Sequence, residues 1–209
     1  MANKIKSPLA VAAVLIFAST ALANQTRMST LMTGDYVEDI VYVDIYPQRL
    51  FTYRNNLYLD IDSSTFDFGI FGTPNEKYGA IGVWQNQTAG HGFNVGYAIN
   101  LFKFDIGVSF SPVRDNLRFG IGAGRTIFNH RLDASFVTFD GTVDKIHSVR
   151  LRYAVRLGDF NLVPRYAFDY TLDPAEFGSH RFGILAQRTI LNDGFVYLGG
   201  EYEICRGDV

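Results

Sequence analysis

The sequence predicts an all-β fold, an antiparallel up-and-down transmembrane β-barrel of about ten to twelve strands behind a cleaved signal peptide. Three observations carry that expectation. Apolar and polar residues alternate at period 2 in segment after segment, the signature of strands with two unlike faces. Phe, Tyr and Gly are abundant, at 18, 12 and 20 of 209 residues, and the aromatics favour sheet. Tight and long connections alternate along the chain, as they do between the two ends of a membrane barrel.

The first element is a leader. Lys4 and Lys6 form a positive start, Leu9 to Phe17 an apolar core and Ala21-Leu22-Ala23 a small-residue cleavage site. The apolar core is about half the roughly 20 residues that a membrane helix needs. Cleavage is expected after Ala23, and with no Cys following the cut the chain does not read as a lipoprotein. Residues 24–56 form an N-terminal segment with a candidate first strand, and 57–209 form the barrel. After residue 26 no apolar run reaches membrane-helix length.

The alternation is clearest from residue 93 onward. Phe93, Val95, Tyr97 and Ile99 oppose Asn94, Gly96, Ala98 and Asn100, and Phe104, Ile106, Val108 and Phe110 oppose Asp105, Gly107 and Ser109. Leu117, Phe119, Ile121 and Ala123 oppose Arg118, Gly120, Gly122 and Gly124. In Val149 to Leu157 the odd positions are apolar or aromatic, while Arg150, Arg152 and Arg156 occupy the even ones. Leu162 to Tyr170 continues the pattern, with Pro164 read as a strand start or bulge because it cannot donate to a ladder. Weaker versions lie at Phe66 to Phe71, Leu132 to Phe136 and Arg181 to Gln187.

Ten strands run from Phe66 to Ile204, an eleventh is Leu57 to Asp62, and a twelfth candidate is Val37 to Tyr46. Tight turns are expected near Asn100 to Lys103, Phe128 to His130, Gly158 to Phe160 and Asn192 to Gly194. Longer connections are expected at Gln85 to His91, Asp140 to Lys145 and Leu172 to His180. With the tight turns periplasmic, the strand Phe195 to Ile204 runs outward. That parity leaves open a miscounted strand, an inverted turn assignment or an incomplete chain.

A lipocalin-like soluble barrel in the periplasm would show the same period with its faces reversed. Three features favour a membrane. The polar face is rich in small residues (Gly96, Ala98, Gly107, Gly120, Gly122, Gly124, Gly183), the apolar face is large and aromatic, and after the leader there are 14 Arg but 3 Lys. Arg suits confined pairing with carboxylates. Arg118, Arg150, Arg152, Arg156 and Arg165 should therefore share the lumen with Asp67, Asp105, Asp133 and Asp169 in a polar network that plugs or narrows it.

The leader, the alternating strands, the Gly-x-Gly-Ala-Gly strand at Gly120 to Gly124 and the arginine-bearing lumen resemble small Gram-negative outer-membrane β-barrels. The stretch from Tyr46-Pro47 through Tyr53-Arg54 to Leu57-Tyr58-Leu59-Asp60 resembles the lead-in to the first strands of the MipA/OmpV family. The resemblance implies the cell outer membrane as location, lipid and lipopolysaccharide as surroundings, a possible periplasmic or envelope protein partner and a structural, scaffold or narrow porin-like role.

Other chemistry is weakly signalled. His147-Ser148 invites comparison with barrel hydrolases that deacylate lipid A, but neighbours on a strand diverge to opposite faces, away from the contact that a nucleophile and base need. Ser179-His180 falls in an expected loop, with no identifiable partner. Gly120 to Gly124 lacks the third glycine of a dinucleotide loop, Arg125 standing there. Asp60, Asp62 and Asp67 lack calcium-loop spacing, so no metal or other cofactor is expected. The lone Cys205 forbids an internal disulfide, and 19 basic against 21 acidic side chains give no reason for a nucleic-acid partner. Arg206-Gly207-Asp208 reads as a polar tail, and Lys103, Arg114 and Arg131 as rim cations within reach of lipopolysaccharide phosphates.

Overall fold

A computed structural model describes residues 40–61, 66–86, 91–112, 116–141, 145–172, 176–190 and 194–207. The leader, Val37, Asp62, Arg114 and Asp208 lie outside these residues. The strands are β1 (Asn56–Ile61), β2 (Phe66–Gly72), β3 (Ala80–Asn86), β4 (His91–Leu101), β5 (Phe104–Ser111), β6 (Asn116–Ile127), β7 (His130–Gly141), β8 (Lys145–Leu157), β9 (Phe160–Thr171), β10 (Phe177–Ile190) and β11 (Gly194–Gly207). They form one eleven-stranded sheet in chain order, and every adjacent pair is antiparallel. β1 and β11 are its edges, and since successive strands reverse, these two run in the same direction.

The sheet has a turn end and a loop end. At the turn end Phe102-Lys103, Phe128-Asn129 and Gly158-Asp159 join strands through two residues each. Phe102 and Lys103 both hold positive φ (53° and 68°), as a type I′ hairpin turn requires. At the loop end the joins fall at 62–65, 87–90, 113–115, 142–144 and 173–175, outside the described residues. The tight turns expected at Asn100 to Lys103, Phe128 to His130 and Gly158 to Phe160 agree with the sequence, while Asn192 of the fourth lies outside the described residues. Ser179 and His180 lie within β10 and Arg206 and Gly207 within β11, where cross-strand pairing extends further than the polar composition implied. Pro164 stands inside β9, neither starting a strand nor forming a bulge. The β8–β9 ladder lapses beside it, between Arg152↔Arg165 and Val155↔Leu162, so the missing donor falls in a gap.

The larger correction concerns the N-terminal segment. Within the Val37 to Tyr46 stretch read as a twelfth strand, Ile40–Asp44 forms a 3-10 helix, and a second follows at Pro47–Phe51. Pro47 opens the second helix, where a missing N–H is no loss. The two helices plug the sheet's inner face. Their apolar side (Ile40, Val43, Leu50) forms a core with Tyr58, Phe71, Ala80, Trp84 and Ala98 of β1 to β4. The plug thus provides inward apolar contacts for β1 to β4.

The glycine row is explained by the same contact. Gly107, Gly120 and Gly122 lie under the plug, and a Cβ on Gly107 would sit 2.3 Å from the Gln48 nitrogen and 2.4 Å from the Pro47 carbonyl. Those atoms are backbone, so no rotamer change relieves the clash. Gly107→Ala is expected to lower unfolding stability by about 1–3 kcal/mol. Gly200→Ala, where a Cβ meets nothing within 4 Å, is expected to leave it unchanged; denaturant midpoints of the two variants check this.

Candidate functional site

The inner face carries a polar network in two clusters. The first is centred on Asp133 of β7, which has no solvent exposure (0%). Arg49 of the plug lies 3.1 Å from it, Arg131 of β7 3.0 Å and Arg152 of β8 3.2 Å, while Gln48 Nε2 donates to it at 3.1 Å. Arg131 also bridges to Asp105 of β5, which accepts from Asn100 at 2.6 Å. One turn of plug higher, Asp44 meets Arg118 of β6 at 3.5 Å, the same guanidinium donates to the Asp44 carbonyl at 2.9 Å, and Trp84 Nε1 donates to its carboxylate. Asp44, Asp105 and Asp133 thus each have an arginine partner, the condition on which ion pairs survive out of water.

The second cluster lies on β8 to β11. Asp169 receives Arg150 at 2.7 Å, Arg181 and the Ser148 hydroxyl, while Arg165 pairs with Glu201 and the Ser179 hydroxyl donates to Glu203. These ion pairs join residues of the strands to one another. Between this cluster and the plug lies a cavity of about 670 Å³, lined on the plug side by Ile45.

The structure therefore brings together most of the residues named from sequence. Asp105, Arg118, Asp133 and Arg152 join the plug cluster and Arg150, Arg165 and Asp169 the second. Asp67 is buried on the inner face of β2, directly opposite Asp60 of β1. Arg156 is exposed near the turn end of β8 and makes no ion pair among the described residues. Arg131 corrects the rim assignment. Its position shares a face with Asp133, so the side chain turns inward to two carboxylates. Lys103 stays exposed in its turn.

The two His-Ser pairs do not converge on a nucleophile and base. His147 stacks on Phe136 of the outer face, 6.1 Å between ring centres, while Ser148 beside it points inward to Asp169. His180 bonds to the Tyr166 hydroxyl at 2.9 Å, with Ser179 again on the opposite face. Among the described residues no three His, Cys, Asp or Glu side chains gather to hold a metal ion.

Sequence reading missed Asp44, Gln48, Arg49, Arg181, Glu201 and Glu203. The plug residues have no period to betray them. Glu201 and Glu203 share the odd positions of β11 opposite the apolar Val196, Leu198, Tyr202 and Ile204, a signal that was there to use. No family model, curated protein or solved structure matches the chain.

Two outcomes follow from the plug cluster. Asp133→Asn leaves Arg49, Arg131 and Arg152 facing one another without their shared carboxylate, and is expected to cost about 3–5 kcal/mol of stability and expose the plug to protease. Tyr46 reports plug seating directly. Burial raises its phenol from 10.0 to about 12, against the Arg152 guanidinium 4.7 Å from the ring centre. The site favours the neutral phenol, so this contribution is intact below pH 10 and is lost as pH rises toward 12. A difference ultraviolet titration against Tyr46→Phe is expected to place this phenolate near pH 12, and near pH 10 in Asp133→Asn.

Proposed function

We propose that the chain is an outer-membrane β-barrel with a structural or scaffold role and an interior stoppered by its own N-terminal segment, leaving at most a narrow pore. The observation that carries this reading is the distribution of solvent exposure. Large apolar side chains on the outer face are bare, including Phe119 at 41%, Ile121 at 43% and Phe182 at 48%, while the inner face buries Asp and Arg. An apolar surface continuous across eleven strands far exceeds the few hundred Å² that soluble monomers leave uncovered. A lipid environment makes it favourable.

Charges on this face support the same reading. Among the described residues, Arg125, Asp140, Lys145, Arg188 and Arg206 lie toward strand ends, as depth-dependent insertion costs demand. Phe102 and Phe128, almost wholly exposed at the tips of two tight turns, are placed as interfacial anchors. Strands β6 to β11 have 12 to 14 residues, beyond the 9–11 or so that a tilted strand needs to cross. A bilayer also requires every edge to be paired. The edges β1 and β11 must therefore meet in parallel or accept further strands between them.

An open porin role fits poorly, since the plug covers the inner face along β1 to β6 and its Asp44 and Arg49 are paired with the sheet. A lipid-modifying enzyme lacks a converging His, Ser and acid among the described residues. The reading is tested by fractionation and by gel mobility of unheated and boiled samples in mild detergent. Membrane recovery with a heat-dependent mobility shift is expected; periplasmic recovery without a shift would favour a soluble barrel. In a bilayer Ile121→Arg is expected to destabilise folding by about 2–4 kcal/mol, measured by denaturant titration in vesicles.

A further inference from the structure

The outer face repeats one arrangement at the turn end. Twice, an arginine guanidinium lies over the ring of the phenylalanine that opens a strand after a tight turn. Arg125 of β6 stands over Phe104 of β5, 4.8 Å from the ring centre, and Arg188 of β10 over Phe160 of β9, at 5.1 Å. Neither arginine makes an ion pair among the described residues. Stacking engages the flat face of a guanidinium and leaves the N–H groups at its rim for an oxyanion.

The two copies differ in the turn that precedes the phenylalanine. Phe102-Lys103 leads into Phe104, whereas Gly158-Asp159 leads into Phe160. The first copy thus adds a second cation beside its arginine, and the second copy adds a carboxylate. No acidic residue stands on the outer face at the turn ends of β4 to β7, because Asp105 and Asp133 turn inward to Arg131. Around Lys103 and Arg125 the surface is apolar, with Phe102 and Phe128 exposed at the turn tips and Ile127 exposed beside them. Two unmatched cations at the margin of an apolar face complement a ligand that is anionic at one end and apolar at the other. A zwitterionic headgroup would bring an ammonium that finds no carboxylate here; a phosphodiester without an ammonium brings none.

We infer that the β4–β5 and β6–β7 turns hold the headgroup of an anionic phospholipid, its phosphate between Lys103 and Arg125 and its acyl chains against the outer faces of β5 and β6. The inference rests on the membrane reading above and adds to it a lipid class and a place. The turn beside Phe160, where Asp159 offsets Arg188, is the built-in comparison: it has the same stacked arginine and no preference for an anionic lipid.

The test places a bimane fluorophore on the full chain at Ile127→Cys, and separately at Leu157→Cys beside the second turn, each with Cys205→Ser. The labelled chain is reconstituted in phosphatidylcholine vesicles that contain brominated phosphatidylglycerol or brominated phosphatidylcholine as contact quenchers. At position 127 the anionic quencher is expected to act as though enriched about threefold or more over its share of the bilayer. At position 157 it is expected to act in proportion to its share, as is brominated phosphatidylcholine at both positions. Lys103→Gln with Arg125→Gln is expected to abolish the enrichment at 127, and Arg206→Gln at the loop end to leave it unchanged. Circular dichroism verifies that each variant keeps its sheet. Proportional quenching by the anionic lipid at 127, equal enrichment at 157, or enrichment retained by the folded double variant would overturn the assignment while leaving the chain in the bilayer. No quenching by either lipid at either position would overturn the membrane reading and the assignment with it.

Discussion

Asp133 is a carboxylate cut off from water, and Arg49, Arg131 and Arg152 reach it from the plug, from its own strand and from the next. A buried charge of this kind is tolerable only when its partners are fixed, so this contact constrains three elements at once. The plug must lie close enough for Arg49 to arrive, which presses Pro47 and Gln48 against β5 and β6. Glycine at 107 and 122 is the consequence, since a Cβ on either would meet plug atoms well inside contact distance. The opposite side of the plug is apolar and fills the inner face of β1 to β4, where Leu50 and Trp84 are buried. Ionic contacts on one side and apolar packing on the other hold the same short helices in one place.

That arrangement divides the interior. Where the plug lies, its charged side chains pair with those of the sheet. Where it does not, along β8 to β11, the sheet satisfies its own charges through cross-strand pairs such as Arg165 with Glu201, and space is left over. The cavity's shape also depends on the plug, because Ile45 forms part of its wall. A change that unseats Arg49 would therefore alter both halves.

Much of the sheet was legible in the sequence because its two faces meet such different surroundings. From Phe93 onward the alternation located β4 to β9 and which residues share a face, and small residues marked the crowded side. The plug was not legible. Ile40 to Tyr46 is rich in β-branched and aromatic residues, and local preference favours a strand there; burial against Tyr58, Phe71 and Trp84 overrides it. Asp44, Gln48 and Arg49 were hidden for the same reason, having no repeating partner pattern. Arg131 was misread from its closeness to a turn, although its parity with Asp133 already assigned it to the inner face. Glu201 and Glu203 were missed although their strand was found, because their partners, Arg165 for Glu201 and the Ser179 hydroxyl for Glu203, lie on other strands.

The distinction between a membrane barrel and a soluble one comes down to what touches the outer face. Oxygen and a water-soluble nickel complex relax nitroxide spin labels differently in lipid and in water. The decisive measurement places labels singly at Leu132, Ser135, Ala134, Phe136 and Val137 of β7 in a lipid-reconstituted chain whose only cysteine, Cys205, has been replaced by serine. Lipid contact requires high oxygen and low nickel accessibility at Leu132, Ala134 and Phe136, with little access to either reagent at Ser135 and nickel access at Val137, which lines the cavity. High nickel accessibility at Leu132, Ala134 and Phe136 would contradict it, leaving the outer aromatics facing water.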